Sequence, residues 1–330
     1  VILLPKYADI IMKVAPLLAF MLPSVWLYVL YPASFESMWK GRTFQVIFIW
    51  LVALELILDW ETFQTSVKLQ KGFFIRFITL NLSLAGPTVY VLASVYAGLS
   101  GFIVAFSKSL GVTWAESMPL AFEYFVYAAF FCLIIFLEFG NEELKKFSVP
   151  ATFLCVVGIL YFIDNVCPYG RFTPFQVLVL PTVFLASRVL QVYGYTVNAV
   201  IRNEQATGYL PLITATDPGT SKSATFAVAW PCAGVESMLI YSVILLLFLK
   251  RMTMTVKHKA AYFTFGAAVT YMLNIFRIVT IFRLGIAQGE TSEAVQTFHF
   301  FYGPLYSVIW IILYLIVILS IQSRRNETLR

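Results

Sequence analysis

The 330-residue chain is 60% hydrophobic and 12% charged, far from the roughly 45–50% apolar and about 25% charged balance of soluble domains. Its apolar residues come in blocks of about 18 or more, the length that crosses a hydrocarbon core of about 30 Å, so a water-soluble globule is excluded and an all-α, polytopic transmembrane bundle is predicted. A formal charge of +6 does not mark a nucleic-acid binder, because the basic residues sit in short links between apolar blocks and form no patch interleaved with aromatics. A transmembrane barrel is excluded too, since runs such as Tyr241 to Leu249 do not alternate.

In chain order, spans are predicted near 8–30, 43–60, 77–106, 117–138, 148–165, 174–194, 227–249, 260–284 and 298–321, giving about eight to ten helices. The first block reads as a span and not as a cleaved signal, because many others follow it. The third is too long for one upright helix and contains Gly86-Pro87, which predicts a short interfacial piece followed by a span. Pro181 is expected to interrupt the sixth block. The longest polar stretch, Asn198 to Thr225, holds Thr214-Ala215-Thr216-Asp217-Pro218-Gly219-Thr220-Ser221. The chain is therefore read as a single membrane domain over 1–330. Within it, 1–195 supplies accessory spans of unassigned role, 196–226 an external loop closing the bundle, and 227–321 the core spans.

Orientation follows from the last three spans. The link after the seventh carries Lys250, Arg251, Lys257 and Lys259, which places it in the cytoplasm. The link Gly285 to Thr297 has Glu290 and Glu293 and no Lys or Arg, which places it outside the cell membrane. By the same reading the polar loop is external.

Three chemically capable side chains then fall at one depth. Cys232 is expected about five residues inside the outer end of the seventh span, Arg277 about seven residues below the outer end of the eighth, and His299 at the outer start of the ninth, all within roughly 10 Å of the surface. A thiol attacks a carbonyl as thiolate, and a nearby cation or His favours that form. An Arg inside a membrane helix costs about 2.5–3.5 kcal/mol unless it finds a partner or water, which makes Arg277 a functional candidate. Asn274 shares a helical face with Arg277 and is placed to orient it. Plainer readings stand beside these. A lone Cys in a membrane helix ordinarily packs, and Cys132, Cys155 and Cys167 keep that reading. His299 also suits a carbonyl hydrogen bond at an interface, and His258 lies in the Lys-rich link. Glu55, Glu123, Arg188, Glu236 and Arg283 are expected to pair or to sit near headgroups. The four cysteines lack CxxC spacing, so neither a metal site nor a disulfide framework is implied.

Pro231-Cys232-Ala233-Gly234-Val235-Glu236-Ser237, then Asn274-Ile275-Phe276-Arg277-Ile278, then His299 at the start of the last block resemble the Cys, Arg and His signature of the exosortase/archaeosortase family of membrane cysteine transpeptidases. The resemblance covers about the last hundred residues, and its general character points to an archaeal member. It implies an enzyme acting on exported proteins that carry a C-terminal sorting signal, made of a short motif, a transmembrane helix and a basic tail. It further implies cleavage at the motif and transfer of the new C-terminus to a membrane lipid amine. Cys232 would form a thioester, Arg277 would stabilise thiolate or oxyanion, and His299 would shuttle protons, with Asn274, Ser237 and Gly234 in support. No metal or organic cofactor is required.

Two rivals compete with this reading. Gly98-Leu99-Ser100-Gly101 resembles the GxSG of rhomboid serine proteases, but His258 and His299 are the only histidines, and such small-residue runs serve helix packing. The other rival is a transporter or assembly scaffold in which Arg277, Arg188 and Glu236 line a polar path.

Overall fold

The computed structural model describes residues 3–35, 41–61, 73–167, 173–204 and 208–328. Among these, six helices are long and apolar enough to cross a membrane: Ile10–Leu30, Ile78–Tyr96, Ala115–Glu138, Ser148–Val166, Val256–Gln288 and Glu293–Gln322. Three shorter apolar helices, Thr43–Leu58, Leu99–Ser109 and Val177–Val192, accompany them. The bundle is multi-pass and all-helical in its membrane part. The chain divides into two compact units, Val1–Cys167 and Pro168–Arg330.

The first unit contains α1 (Leu3–Leu30), α2 (Thr43–Leu58), α3 (Phe73–Tyr96), α4 (Leu99–Ser109), α5 (Met118–Glu138), the short α6 (Asn141–Lys146) and α7 (Ser148–Val166). Its centre is aromatic: Phe20 meets Phe48, Tyr127 and Phe131 edge-on with ring centroids 5.2, 5.3 and 5.8 Å apart, the arrangement that ring quadrupoles favour. Gly86-Pro87 does not split the third block, since α3 runs through it. The break comes at Gly98, whose φ of 74° belongs to the left-handed region that glycine enters without a Cβ penalty. Pro181 likewise lies inside an unbroken helix. Neighbouring helices in a bundle re-satisfy the backbone groups that a proline frees, so a proline inside an apolar block does not by itself end a span.

Glu123, read as a lone intramembrane charge, is held by three residues in relay. Arg42 donates from Nε and Nη2 to its two carboxylate oxygens at 2.7 and 2.8 Å, and Gln45 Nε2 donates to Oε1. Ser24 Oγ donates to Gln45 Oε1 at 3.1 Å. A bidentate guanidinium–carboxylate pair supported by further hydrogen bonds is the arrangement that makes a buried charge tolerable.

The second unit runs from α8 (Thr173–Val192) into β1 (Thr196–Glu204), β2 (Gly208–Thr216) and β3 (Ser223–Ala227). The polar stretch expected as a loop is thus largely an antiparallel sheet of order β1-β2-β3, with Thr196 opposite Thr216 and Leu212 opposite Ala227. The β2–β3 turn explains its polarity. Asp217 accepts hydrogen bonds from Gly219 N at 3.0 Å and Thr220 Oγ1 at 2.7 Å, and these hold its carboxyl below the usual range. Pro211 stands in the middle strand opposite Ile201, and its carbonyl accepts the Val228 N–H at 2.9 Å just past the end of β3.

After a 3-10 turn at Trp230–Ala233 come α9 (Val235–Arg251), α10 (Val256–Gln288), α11 (Glu293–Thr297), a π-helical turn (Phe298–Tyr302) and α12 (Gly303–Thr328). Tyr241 and Tyr314 from α9 and α12 donate at 2.7 Å to the carbonyls of Phe263 and Tyr262 on α10, knitting the three helices at one end. At the other end β3 packs on α10, where Phe226 meets Phe282 edge-on at 5.1 Å. A Cβ at Gly285 would stand 2.8 Å from the Phe226 ring. Ile309, Ile312, Leu313 and Ile316 of α12 are about half exposed, as expected of a helix whose outer face meets lipid.

Removing one member of the Arg42–Glu123 pair strands the other in the interior. Glu123→Ala is expected to cost about 3–5 kcal/mol, read as a lowered thermal midpoint in detergent. The double change Arg42→Met with Glu123→Leu, which leaves no unpaired charge, is expected to cost less than either single removal.

Candidate active site

Cys232 does not lie inside a membrane helix, as the predicted 227–249 span had it, but in the 3-10 turn ahead of α9. Two features set that turn. Pro231 stands at its start, and Gly234, at φ 92°, serves as the N-cap of α9 in the left-handed region. Asn274 of α10 donates from Nδ2 to the Cys232 carbonyl at 2.9 Å. The amide lies so close to Gly234 that a Cβ there would stand 3.0 Å from its Cγ and Nδ2. Asn274 therefore positions the cysteine backbone, a different role from the expected steering of the guanidinium.

Arg277, three residues further along α10, donates from Nη2 to the carbonyl of His299 at 2.9 Å. The carbonyl is open to it for a backbone reason. In an α-helix the His299 carbonyl would accept from the N–H of residue 303, but the π turn sends the Gly303 N–H to Phe298 O. The next backbone nitrogen belongs to Pro304, which has no N–H to give. A Cβ at Gly303 would stand 2.6 Å from Arg277 Nε and 2.9 Å from Phe298 O, so the guanidinium occupies space that only glycine leaves. Gly303 and Pro304 are the positions sequence reasoning missed. Their signal was a Gly-Pro pair four and five residues after the histidine.

The same guanidinium acts electrostatically on Cys232 and Glu236. Burial pushes the Cys232 thiol above its ordinary value, while Arg277 and a backbone hydrogen bond at Ala229 pull it down and Glu236 adds to the rise. Arg277 is the charged group that favours ionisation of this thiol against the effect of burial. Among the described residues, Arg277 Nε and Asn274 Oδ1 are buried without a hydrogen-bond partner. Asn274 Oδ1 belongs to the amide that holds the cysteine turn, and Arg277 Nε lies against Gly303.

Within the second unit Asn274 holds the Cys232 carbonyl beside Gly234, and Arg277 holds the carbonyl of His299, which thus joins the group through its backbone. Ser237 plays a different part: it accepts a hydrogen bond from Ser307 Oγ at 2.9 Å, buried between α9 and α12. The other charges noted in the sequence lie elsewhere. Arg188 donates to Gln191 Oε1 and lies over the Phe184 ring at 5.2 Å, Arg283 stacks over Tyr193 at 5.0 Å, and His258 contacts Thr255 Oγ1 at 2.6 Å at the far end of α10. Among the described residues no cluster of three or more His, Cys, Asp or Glu is arranged to hold a metal ion.

A family model described as transmembrane exosortase matches residues 39–316, more than half of the chain. The chain belongs to the transmembrane exosortase family. No curated protein and no solved structure matches the chain. The match extends well upstream of the last hundred residues on which the sequence resemblance rested, so the exosortase character includes most of the first unit. The candidate residues Cys232, Arg277 and His299 of this exosortase all lie inside the matched stretch.

Gly303→Ala should displace Arg277 from the His299 carbonyl. The expected result is a fall of about tenfold or more in the rate at which a small thiol reagent labels Cys232, with helix content unchanged by circular dichroism.

Proposed function

We propose that this exosortase-family protein is a cysteine transpeptidase that cleaves a C-terminal sorting signal from exported proteins and transfers the new C-terminus to a lipid amine. The observation that carries the reading is the double engagement of Arg277, hydrogen-bonded to the His299 backbone and charge-coupled to Cys232. A cation that acts on the thiol and is anchored on the backbone of the histidine suits acyl transfer through a thioester.

In this mechanism the Cys232 thiol gives its proton to His299 as its sulfur attacks the carbonyl at the cleavage motif, and the guanidinium of Arg277 stabilises the negative charge that develops on the carbonyl oxygen. The unpartnered Nε suits that role, since a preorganised donor has no bond to break when the charge appears. His299 protonates the departing amine as the C–N bond breaks, which leaves an acyl thioester on Cys232. The incoming amine then attacks the thioester, gives its proton to His299, and returns the thiolate. Asn274 and Gly234 act as positioning residues that fix the backbone of the turn.

Sidedness supports an external site. Cys232 lies just ahead of α9, and Lys250 and Arg251 lie in the last turn of that helix. The first turns of α10 carry Lys257 and Lys259, whereas Asn274 and Arg277 lie past its middle. Basic links mark the cytoplasmic side, so the site belongs at the opposite face. There a substrate helix in the bilayer can approach laterally with its motif at the membrane surface.

The test is a reporter bearing a C-terminal sorting signal, co-expressed with each variant. Cys232→Ala and Cys232→Ser are expected to abolish processing, and Arg277→Ala and His299→Ala to lower it by about a hundredfold or more. A hydroxylamine-sensitive adduct should form on the wild-type chain and be absent from Cys232→Ala. Full processing by Cys232→Ser would return the protein to the transporter or scaffold class. A second prediction follows from electrostatics. The rate of Cys232 alkylation should rise with pH, with a midpoint above that of an ordinary exposed thiol. Arg277→Ala should move that midpoint higher still, because the cation that favours the thiolate is gone.

A further inference from the structure

Two arginines of the second unit, Arg188 and Arg283, take no part in the chemistry proposed above, and both stand on exposed helix faces. On α8 the buried positions Val179, Thr182 and Ala186 recur at helical spacing and turn toward the protein. The opposite stripe, Val177, Leu180 and Phe184, is apolar and exposed, and Arg188 is its next member. The pattern recurs on α10, where Met272 and Phe276 are exposed and Arg283 continues their stripe toward the helix end. The two helices touch, since Thr182 Oγ1 and the Tyr271 hydroxyl lie 2.8 Å apart. We infer that the ends of α8 and α10 nearest the sheet form a binding surface for anionic phospholipid, in which Arg188 and Arg283 hold headgroup phosphates.

Depth favours this occupant. Arg188 lies four residues before the end of α8 at Val192, and Arg283 five before the end of α10 at Gln288, so roughly 6 and 8 Å of helix remain beyond them. From there an arginine reaches the headgroup level while its stem stays against hydrocarbon. Both helix ends lie at the sheet, because α8 runs into β1 and Phe226 of β3 packs on Phe282 of α10.

The hydrogen-bonding capacity of each guanidinium points the same way. Arg188 lies over the Phe184 ring at 5.2 Å and donates to Gln191 Oε1 at 3.2 Å, and Arg283 lies over the Tyr193 ring at 5.0 Å. Among the described residues, neither forms an ion pair with a carboxylate. A ring engages the flat face of a guanidinium and leaves its in-plane N–H groups free, and the fork they make matches two oxygens of a phosphate. Inorganic phosphate would fit the fork alone. A phospholipid fits the fork and the apolar stripe beside it.

Orientation of the bundle does not account for these charges. Lys250 and Arg251 end α9, and Lys257 and Lys259 begin α10, at the end away from the sheet, which is where the positive-inside rule gathers basic residues. Arg188 and Arg283 stand at the other end, on faces turned to lipid. Headgroups held there on two touching helices would fix the depth and tilt of the second unit, since interfacial anchors set both.

The experiment reconstitutes the full chain in phosphatidylcholine discs containing a minor share of phosphatidylglycerol and counts, by native mass spectrometry, the lipid of each class that stays bound. The wild type is expected to retain phosphatidylglycerol in excess of its share. Arg188→Gln and Arg283→Gln should each weaken that retention about fivefold, and together about twentyfold or more. Arg188→Lys and Arg283→Lys keep the charge without the fork and should restore part of it, whereas Lys145→Gln, an exposed cation of the first unit paired with Glu142, should change nothing. Wild-type retention in the double glutamine variant overturns the assignment to these arginines. Equal retention of the two lipids by the wild type overturns the anionic headgroup as ligand. Inorganic phosphate added in excess should leave the bound lipid in place, and its displacement would make free phosphate the ligand and overturn the lipid.

Discussion

The second unit is organised around one guanidinium. Arg277 lies past the middle of a 33-residue helix, a position that costs about 2.5–3.5 kcal/mol on insertion scales unless the charge is given partners. The partner here is the carbonyl of His299, and that carbonyl is open because the π turn and Pro304 together leave it without a helical donor. The carbonyl gives the guanidinium a hydrogen-bond acceptor, and Glu236 faces it with an opposite charge. The pair fixes the start of the last helix against α10 and, with it, the place of the histidine.

Glycine positions around the pair follow from space rather than from chain flexibility. Gly303 leaves room for Arg277 and Gly234 leaves room for Asn274, and only at Gly234 does a positive φ add a conformational reason. The sheet closes the same end of α10. Its β3 edge is held by packing on α10 and by the Glu290 carboxylate, so the turn bearing Cys232 begins from a fixed strand. Position is thus imposed on the cysteine from both directions, by β3 before it and by the Asn274 amide after it.

The candidate residues stood out in the sequence more clearly than the scaffold that carries them. Cys232, Arg277 and His299 are rare residue types in an apolar chain, and antiparallel helices of known length bring them to one level. The shift of Cys232 from helix to 3-10 turn was hidden because the stretch from Ala227 to Leu249 is largely apolar, and hydropathy does not distinguish a turn from the helix it opens. The sheet was hidden by its own turn. The Thr214–Ser221 run is so polar, and Pro211 so unlike a strand residue, that the alternation around them reads as loop. Gly86-Pro87 and Pro181 misled in the opposite direction, since a bundle supports a proline that an isolated helix would not.

The extent of the family match changes how the first unit is understood. A reading that confines exosortase character to the last hundred residues makes the upstream spans accessory, yet the match begins at residue 39 and takes in the Arg42–Glu123 pair. A buried ion pair is weak evidence for stability, because apolar side chains of equal volume often do as well. What it supplies is discrimination among packings, since any slip of α2 against α5 would leave a charge unpaired. That suits a unit whose aromatic core of Phe20, Phe48, Tyr127 and Phe131 would otherwise tolerate several registers. Two charged sites among the described residues contrast. Glu123 and Arg42 satisfy each other and specify an arrangement, whereas Arg277 keeps one buried donor unused against Gly303. A buried charge that is fully paired is finished as chemistry, and one with a bond still to make is not.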